Sequence, residues 1–146
     1  MEVVYLDINC FQRSFDDFSQ SRIKEEAEAC QQIFKQAESL QIKLVWSFMH
    51  QDETDLCPWS DRKLEVFRLS HLCQIRIPPA DLIQQKSLFF QKQEAGLSVK
   101  DAIHLAASCY AQANYFLTCD KRFLNQAKRL RVEPHILNPV EYVQRT

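Results

Sequence analysis

Four acidic positions stand where chemistry is most easily built. Asp7 ends the apolar run "VVYL" at 3–6, and Asn9 follows two residues later. A second run, "IKLVW" at 42–46, stops at Ser47; Glu53, with Asp52 beside it, lies within about two helical turns of that serine. A third run, "YFLT" at 115–118, ends in Thr118 with Asp120 two residues on, and Asp101 opens the apolar pattern "KDAIHLAA". Carboxylates gathered at one place repel one another, and without compensation some take up a proton. A divalent cation removes the conflict, and an all-oxygen donor set suits Mg²⁺ or Mn²⁺. Such an ion polarises a phosphoryl oxygen, turns a bound water into a nucleophile and neutralises the leaving oxygen. The chemistry these residues suggest is therefore hydrolysis of a phosphate ester.

That chemistry requires elements that bring the acids together. The three apolar runs read as buried strands, rich in β-branched and aromatic residues. Between them, Ile23, Ala27, Cys30, Phe34, Ala37 and Leu40 recur at three- and four-residue spacing and predict an amphipathic helix. A further helix is expected from near Ser60. A short edge segment is expected at "CQIRI", 73–77, before Pro78 and Pro79. Leu82, Ile83, Leu88 and Phe89 give another helix, with Gly96 as its C-cap. "LSVKDAIHLAASCYAQA" is apolar on much of its circumference and reads as a buried helix, "KRFLNQAKRL" as the next, and "VEPHILNPVEYVQ" as a last short strand and a turn of helix.

Strands alternating with helices predict an α/β fold, a three-layer α/β/α sandwich with a mainly parallel sheet, in one domain spanning residues 1–146. Ligand sites of such sheets lie beyond the carboxyl ends of the strands. If the three runs are neighbours in the sheet, Asp7 and Asp120 converge on one edge, and Glu53 and Asp101 reach it from helices.

Each acid also has a purely structural explanation. Asp7 and Asp120 both stand where an Asp caps a helix. Ser98-x-x-Asp101 matches a capping box. Nothing local separates Glu53 from Asp52, and either could be solvated surface. These explanations treat the acids one by one and leave their expected convergence a coincidence.

Composition narrows the setting. With 146 residues, 46% of them hydrophobic, the chain is long enough to bury a core without disulfides or a structural metal. The net charge of -1 announces no overall basic field. Cys10, Cys30, Cys57, Cys73, Cys109 and Cys119 include no CxxC pair and no zinc-like spacing, and read as thiols of a reducing cytoplasm. The chain shows no secretory leader and no apolar stretch near the roughly 20 residues needed to span a bilayer, so a cytoplasmic location is expected.

The segments "VVYLDINCF", "WSFMHQDE", "GLSVKDAIHLAA" and "YFLTCDKRF" stand in the order and at about the intervals of the PIN-domain nucleases. Over nearly its whole length the chain resembles that family, especially the VapC-like toxins of bacterial toxin–antitoxin pairs. "KDAIHLAA" with "FLTCDKRF" is the most specific part. The resemblance implies a Mg²⁺- or Mn²⁺-dependent endoribonuclease in which Asp7, Glu53, Asp101 and Asp120 form the acidic quartet, the first three holding the principal cation. Asp120 would bind a second ion or position a water, and Asn9 and Thr118 would support the metal or the scissile phosphate. Ile8 departs from the pattern, standing where many relatives carry Thr or Ser. The resemblance further implies an RNA substrate, a small antitoxin as partner and a homodimer.

The remaining polar residues divide simply. The "DAIHLA" setting reads His104 as a partly buried, hydrogen-bonded histidine rather than a ligand, since Mg²⁺ prefers oxygen. His50, His71 and His135 show no ligand spacing. Arg13, Lys121, Arg122 and "KRLR" at 128–131 are candidate phosphate contacts. Two other functions compete with the nuclease. One is a module of the same fold that binds RNA or protein without cleaving it. The other is an aspartyl-phosphate hydrolase, disfavoured because Asp7-Ile8-Asn9 lacks the second Asp of a DxD pair.

Overall fold

Buried on both faces, a strand needs no polar alternation, and the three apolar runs form the centre of the sheet. A computed structural model describes residues 1–145. β1 (Glu2–Leu6) leads into a short α1 (Ile8–Gln12), and α2 (Ser21–Glu38) returns the chain to β2 (Ile42–Ser47). Next come α3 (Phe48–Asp55), α4 (Ser60–Ser70), β3 (Ile75–Ile77), α5 (Asp81–Gln93) and α6 (Val99–Tyr110). The chain closes with β4 (Tyr115–Leu117), α7 (Lys121–Lys128), β5 (His135–Leu137) and α8 (Pro139–Gln144). All strand pairs are parallel, in the order β3-β2-β1-β4-β5.

Alternation along β1 sorts the core into two layers. Val4 and Leu6, with Leu44 and Trp46, pack against Cys30, Ile33 and Phe34 of α2, Leu69 of α4 and Tyr142 of α8. Tyr5, Val45 and Phe116 face the other way, onto Ile83 and Phe90 of α5, Leu105 and Ala106 of α6 and Phe123 of α7. The fold is thus the expected α/β/α sandwich. Its strand order reverses direction between β1 and β4, which opens a crevice at their carboxyl ends.

The local differences from expectation have local causes. Gly96 is not the C-cap of α5; that helix ends at Gln93 with Glu94 in extended conformation, and Gly96 (φ 89°) serves the turn into α6. α1 is too short for a periodic signal, and α3 carries "HQDETD" with only His50 and Thr54 buried.

The left-handed positions that end α2 and α6 are filled by Leu40 (φ 61°) and Gln112 (φ 56°). Each closes a Schellman motif: Gln41 N–H donates to Gln36 O and Leu40 N–H to Ala37 O, with the same pattern from Ala113 to Ser108 and Gln112 to Cys109. A side chain in this region is strained, and Leu40 is 58% exposed with little packing to lose. Leu40→Gly is therefore expected to raise unfolding stability by about 1 kcal/mol, read as a higher urea midpoint at unchanged slope. A lower midpoint would contradict it.

Candidate functional site

The register of β1 against β4 pairs Leu6 with Leu117, so the next residues, Asp7 and Thr118, emerge side by side at the crevice. Asp7 N–H donates to Leu117 O at 2.8 Å. The Asp7 carboxylate is buried; Oδ1 accepts from Ile8 N–H (2.8 Å), and Oδ2 accepts from the Thr118 hydroxyl (2.7 Å) and from Asn9 Nδ2 (3.1 Å). The cap explanation is half realised: Asp7 does cap α1, but its second oxygen is held by the neighbouring strand end. Ile8 supplies no hydroxyl and packs on the α2 side of the core, while Thr118 provides one.

Thr118 Oγ1 is fully occupied, since it also accepts from Asn9 Nδ2 (3.2 Å) and from Asp120 N–H (3.1 Å). Asn9 Oδ1 accepts from Cys119 N–H (3.1 Å), closing the set. Asp120 is exposed and caps α7, Oδ1 accepting from Phe123 N–H at 3.1 Å. Asp101 N–H donates to Ser98 Oγ at 3.1 Å, the first half of the predicted capping box.

Glu53 and Asp52 are no longer equivalent. Asp52 is exposed, whereas the Glu53 side chain, 16% exposed, turns inward and accepts from His104 at Nε2. Electrostatics register the convergence. Burial raises the Asp7 carboxyl above the usual carboxylate range and the Glu53 charge adds to it, against the favourable influence of His104 and Thr118. Asp101 is pushed up to about 6, chiefly by burial and then by the Asp7 charge, with a smaller push from Asp120. No three of the acids bring their oxygens within 4.8 Å of one another: among the described residues, the one trio of His, Cys, Asp or Glu ligand atoms that close is Cys10, Cys30 and Cys119.

Behind the acids runs a buried polar chain that sequence spacing does not reveal. Ser47 N–H donates to His50 Nδ1 (2.9 Å), so His50 carries its proton on Nε2 and donates it to Leu6 O (2.6 Å). Burial holds His50 well below the usual histidine range, and the imidazole is neutral. The Tyr5 hydroxyl lies 2.8 Å from Ser47 Oγ and 2.6 Å from His104 Nδ1. The chain thus runs from Ser47 through the Tyr5 hydroxyl to His104, whose Nε2 donates to Glu53. His104 is thus the buried, bonded histidine expected, and it orients Glu53.

The raised Asp101 carboxyl fixes a pH dependence. The folded protein keeps this proton to about pH 6, whereas an unfolded Asp releases it near pH 4, so folding stability falls as pH rises between these values. Asp101→Asn removes the loss. In chelator above pH 7 the variant is expected to be more stable than wild type by about 1 kcal/mol, a figure discounted for partial exposure. Urea unfolding at pH 4.5 and 7.5 checks it: the advantage should shrink at the lower pH.

Beside Thr118, Arg22, Lys121, Asn125 and Asn138 line a cavity of about 310 Å³. Arg22 donates to Cys119 O at 2.7 Å and pairs with Glu26 at 3.3 Å, yet its side chain remains half exposed. The other basic candidates differ in availability. Arg13 is committed to Glu26 and Asp16, and Arg129 of the 128–131 cluster to Glu94. Another cavity, of about 520 Å³, lies at the opposite end of the strands around Asn114, Tyr115 and His135, remote from the acids. Arg22 carries no sequence signal, because its role depends on where the loop after β4 passes.

No helix among the described residues is long and apolar enough to cross a membrane. No protein-family model matches the chain. No curated protein matches it either, so the candidate site stands on the chemistry of its own residues.

Proposed function

We propose that the chain is a Mg²⁺- or Mn²⁺-dependent endoribonuclease of the PIN type, the toxin half of a toxin–antitoxin pair. The observation that carries the reading is the arrival of four carboxylates, from β1, α3, α6 and the start of α7, at one strand-end crevice, with Asp7 and Asp101 both held above the normal carboxylate range. All donors are oxygens, which fits a hard divalent cation. Asp7, Glu53 and Asp101 would hold it, with Asp120 for a second ion or a water. When bound, the cation supplies charge neutralisation and an activated water.

The remaining roles belong to the chain itself. Thr118 and Asn9 fix the Asp7 carboxylate, and His104 fixes Glu53. Arg22 and Lys121 present positive charge at the adjacent cavity, where an RNA phosphate is drawn in despite the net acidity of the molecule. A partner protein, antitoxin or second copy, has contact area at Trp59 and Phe15, exposed aromatics bridged by the Arg62 guanidinium at 4.9 and 5.4 Å from their centroids.

Incubation of the purified chain with single-stranded RNA is the test. Cleavage is expected with Mn²⁺ or Mg²⁺ and none in chelator. Undiminished cleavage in chelator would exclude the proposed chemistry, and RNA binding without cleavage in any metal would favour the non-cleaving module.

A further inference from the structure

Cys10 in the middle of α1, Cys30 in the middle of α2 and Cys119 in the loop after β4 come from distant parts of the chain and meet in the core. Their sulfurs all lie within 4.8 Å of one another, with Cys10 Sγ and Cys119 Sγ 3.9 Å apart. All three are buried. Cys73, also buried, belongs to no such group, so burial of thiols does not by itself produce the arrangement.

We propose that these three sulfurs form a binding site for one soft, thiophilic cation of low coordination number, of the Cu(I) class. Metal–thiolate bonds of about 2.3 Å in a trigonal plane separate the sulfurs by about 4.0 Å, close to what Cys10 and Cys119 already show. Zn²⁺ fits less well because its structural sites take four ligands. The nearest acidic candidate for a fourth, Glu26, has both oxygens engaged by Arg13, Arg22 and Asn138. Soft sulfur donors alone select Cu(I) over the hard cations that suit the carboxylate edge.

The surroundings favour a thiolate at Cys30. The neighbouring Cys10 and Cys119, with the Arg13 guanidinium, draw its thiol down to about 5, whereas Cys30 and burial push Cys119 up and burial pushes Cys10 up, so a cation binding all three displaces their protons. Entry needs only local opening of a five-residue helix and an adjoining loop. Cys10 follows Asn9, and Cys119 lies between Thr118 and Asp120. A cation on these sulfurs would therefore tie together the two segments that hold Asp7, linking a soft metal to the geometry of the acidic edge. The site follows from sulfur geometry alone and does not depend on the nuclease proposal.

The test uses the reduced, full-length chain without oxygen, offered Cu(I) from a chromophoric Cu(I) chelator in excess over the metal. Wild type is expected to withdraw one equivalent per chain and to show a shell of three sulfurs by X-ray absorption. Cys30→Ala should lose that equivalent and Cys73→Ala should keep it. Wild type that withdraws none, or Cys30→Ala that withdraws as much as wild type, overturns the proposal. If circular dichroism shows Cys30→Ala unfolded, the wild-type spectrum decides: a nitrogen- or oxygen-containing shell, or one of two sulfurs, overturns it.

Discussion

Asp7→Asn is expected to lower metal-dependent RNA cleavage by about 10²–10³-fold or more while leaving the fold intact. The substitution keeps size and shape but removes the charge, and Asp7 is electrostatically linked to both partners: its influence is the largest that another acid exerts on Asp101, and it feels Glu53 in turn. The fold should survive because two effects oppose. The amide weakens the arrangement in which Thr118 and Asn9 both donate to Oδ2, but it also relieves the burial of a charge. Cleavage rate with Mn²⁺, together with far-ultraviolet circular dichroism and the urea midpoint, measures both. A folded variant within about tenfold of wild type would remove Asp7 from the cation site. Asp120→Asn should cost less, since that residue is exposed and half engaged as a helix cap.

Glu26→Ala is expected to destabilise the protein by about 3–5 kcal/mol. Glu26 is 1% exposed in α2, yet both of its carboxyl oxygens are hydrogen-bonded. Oε1 accepts from Arg13 at Nε (3.0 Å) and Nη2 (2.5 Å), and Oε2 from Arg22 Nε (3.3 Å) and Asn138 Nδ2 (2.5 Å). Removing it strands the Arg13 guanidinium, whose side chain is only 16% exposed, and unpins the residue that caps α8. Arg22 contributes less because it is half in water. Urea unfolding should show the loss, with Glu26→Gln intermediate because it keeps an acceptor. A cost below about 1 kcal/mol would mean that the arginines find water or other partners as soon as the carboxylate is gone.

The strand positions and the amphipathic α2 are legible in the sequence for one reason: burial imposes a hydrophobic pattern on any residue that faces a core. β1, β2 and β4 are read from apolar runs broken only by Lys43, and α2 from Ile23 to Ala37 at helical spacing, whereas Leu40, read on the same face, lies beyond the helix end in its left-handed turn and is exposed. The pattern fails for α1 and α3, where one is five residues long and the other buries little. Gly96 misleads because glycine serves any left-handed backbone, and here that backbone lies in the turn beyond the helix end.

The acidic residues are legible as types at strand ends and helix starts, but no local feature distinguishes Glu53 from Asp52. Helix orientation does, by turning one toward His104 and the other to solvent. The chain through Ser47, Tyr5 and His104 joins residues more than forty positions apart at each step. The meeting of Cys10, Cys30 and Cys119 likewise has no signature in spacing, because it depends on how α1, α2 and the loop after β4 are stacked.

By itself, then, the amino-acid sequence determined the α/β class, the three central strands and the candidate acids, since these follow from period and residue type, which are local. Tertiary structure decided which acid turns inward, which basic residues remain free for a ligand and which sulfurs share a site. Those outcomes depend on strand order and helix orientation, and they arise from long-range packing that leaves no periodic trace along the chain.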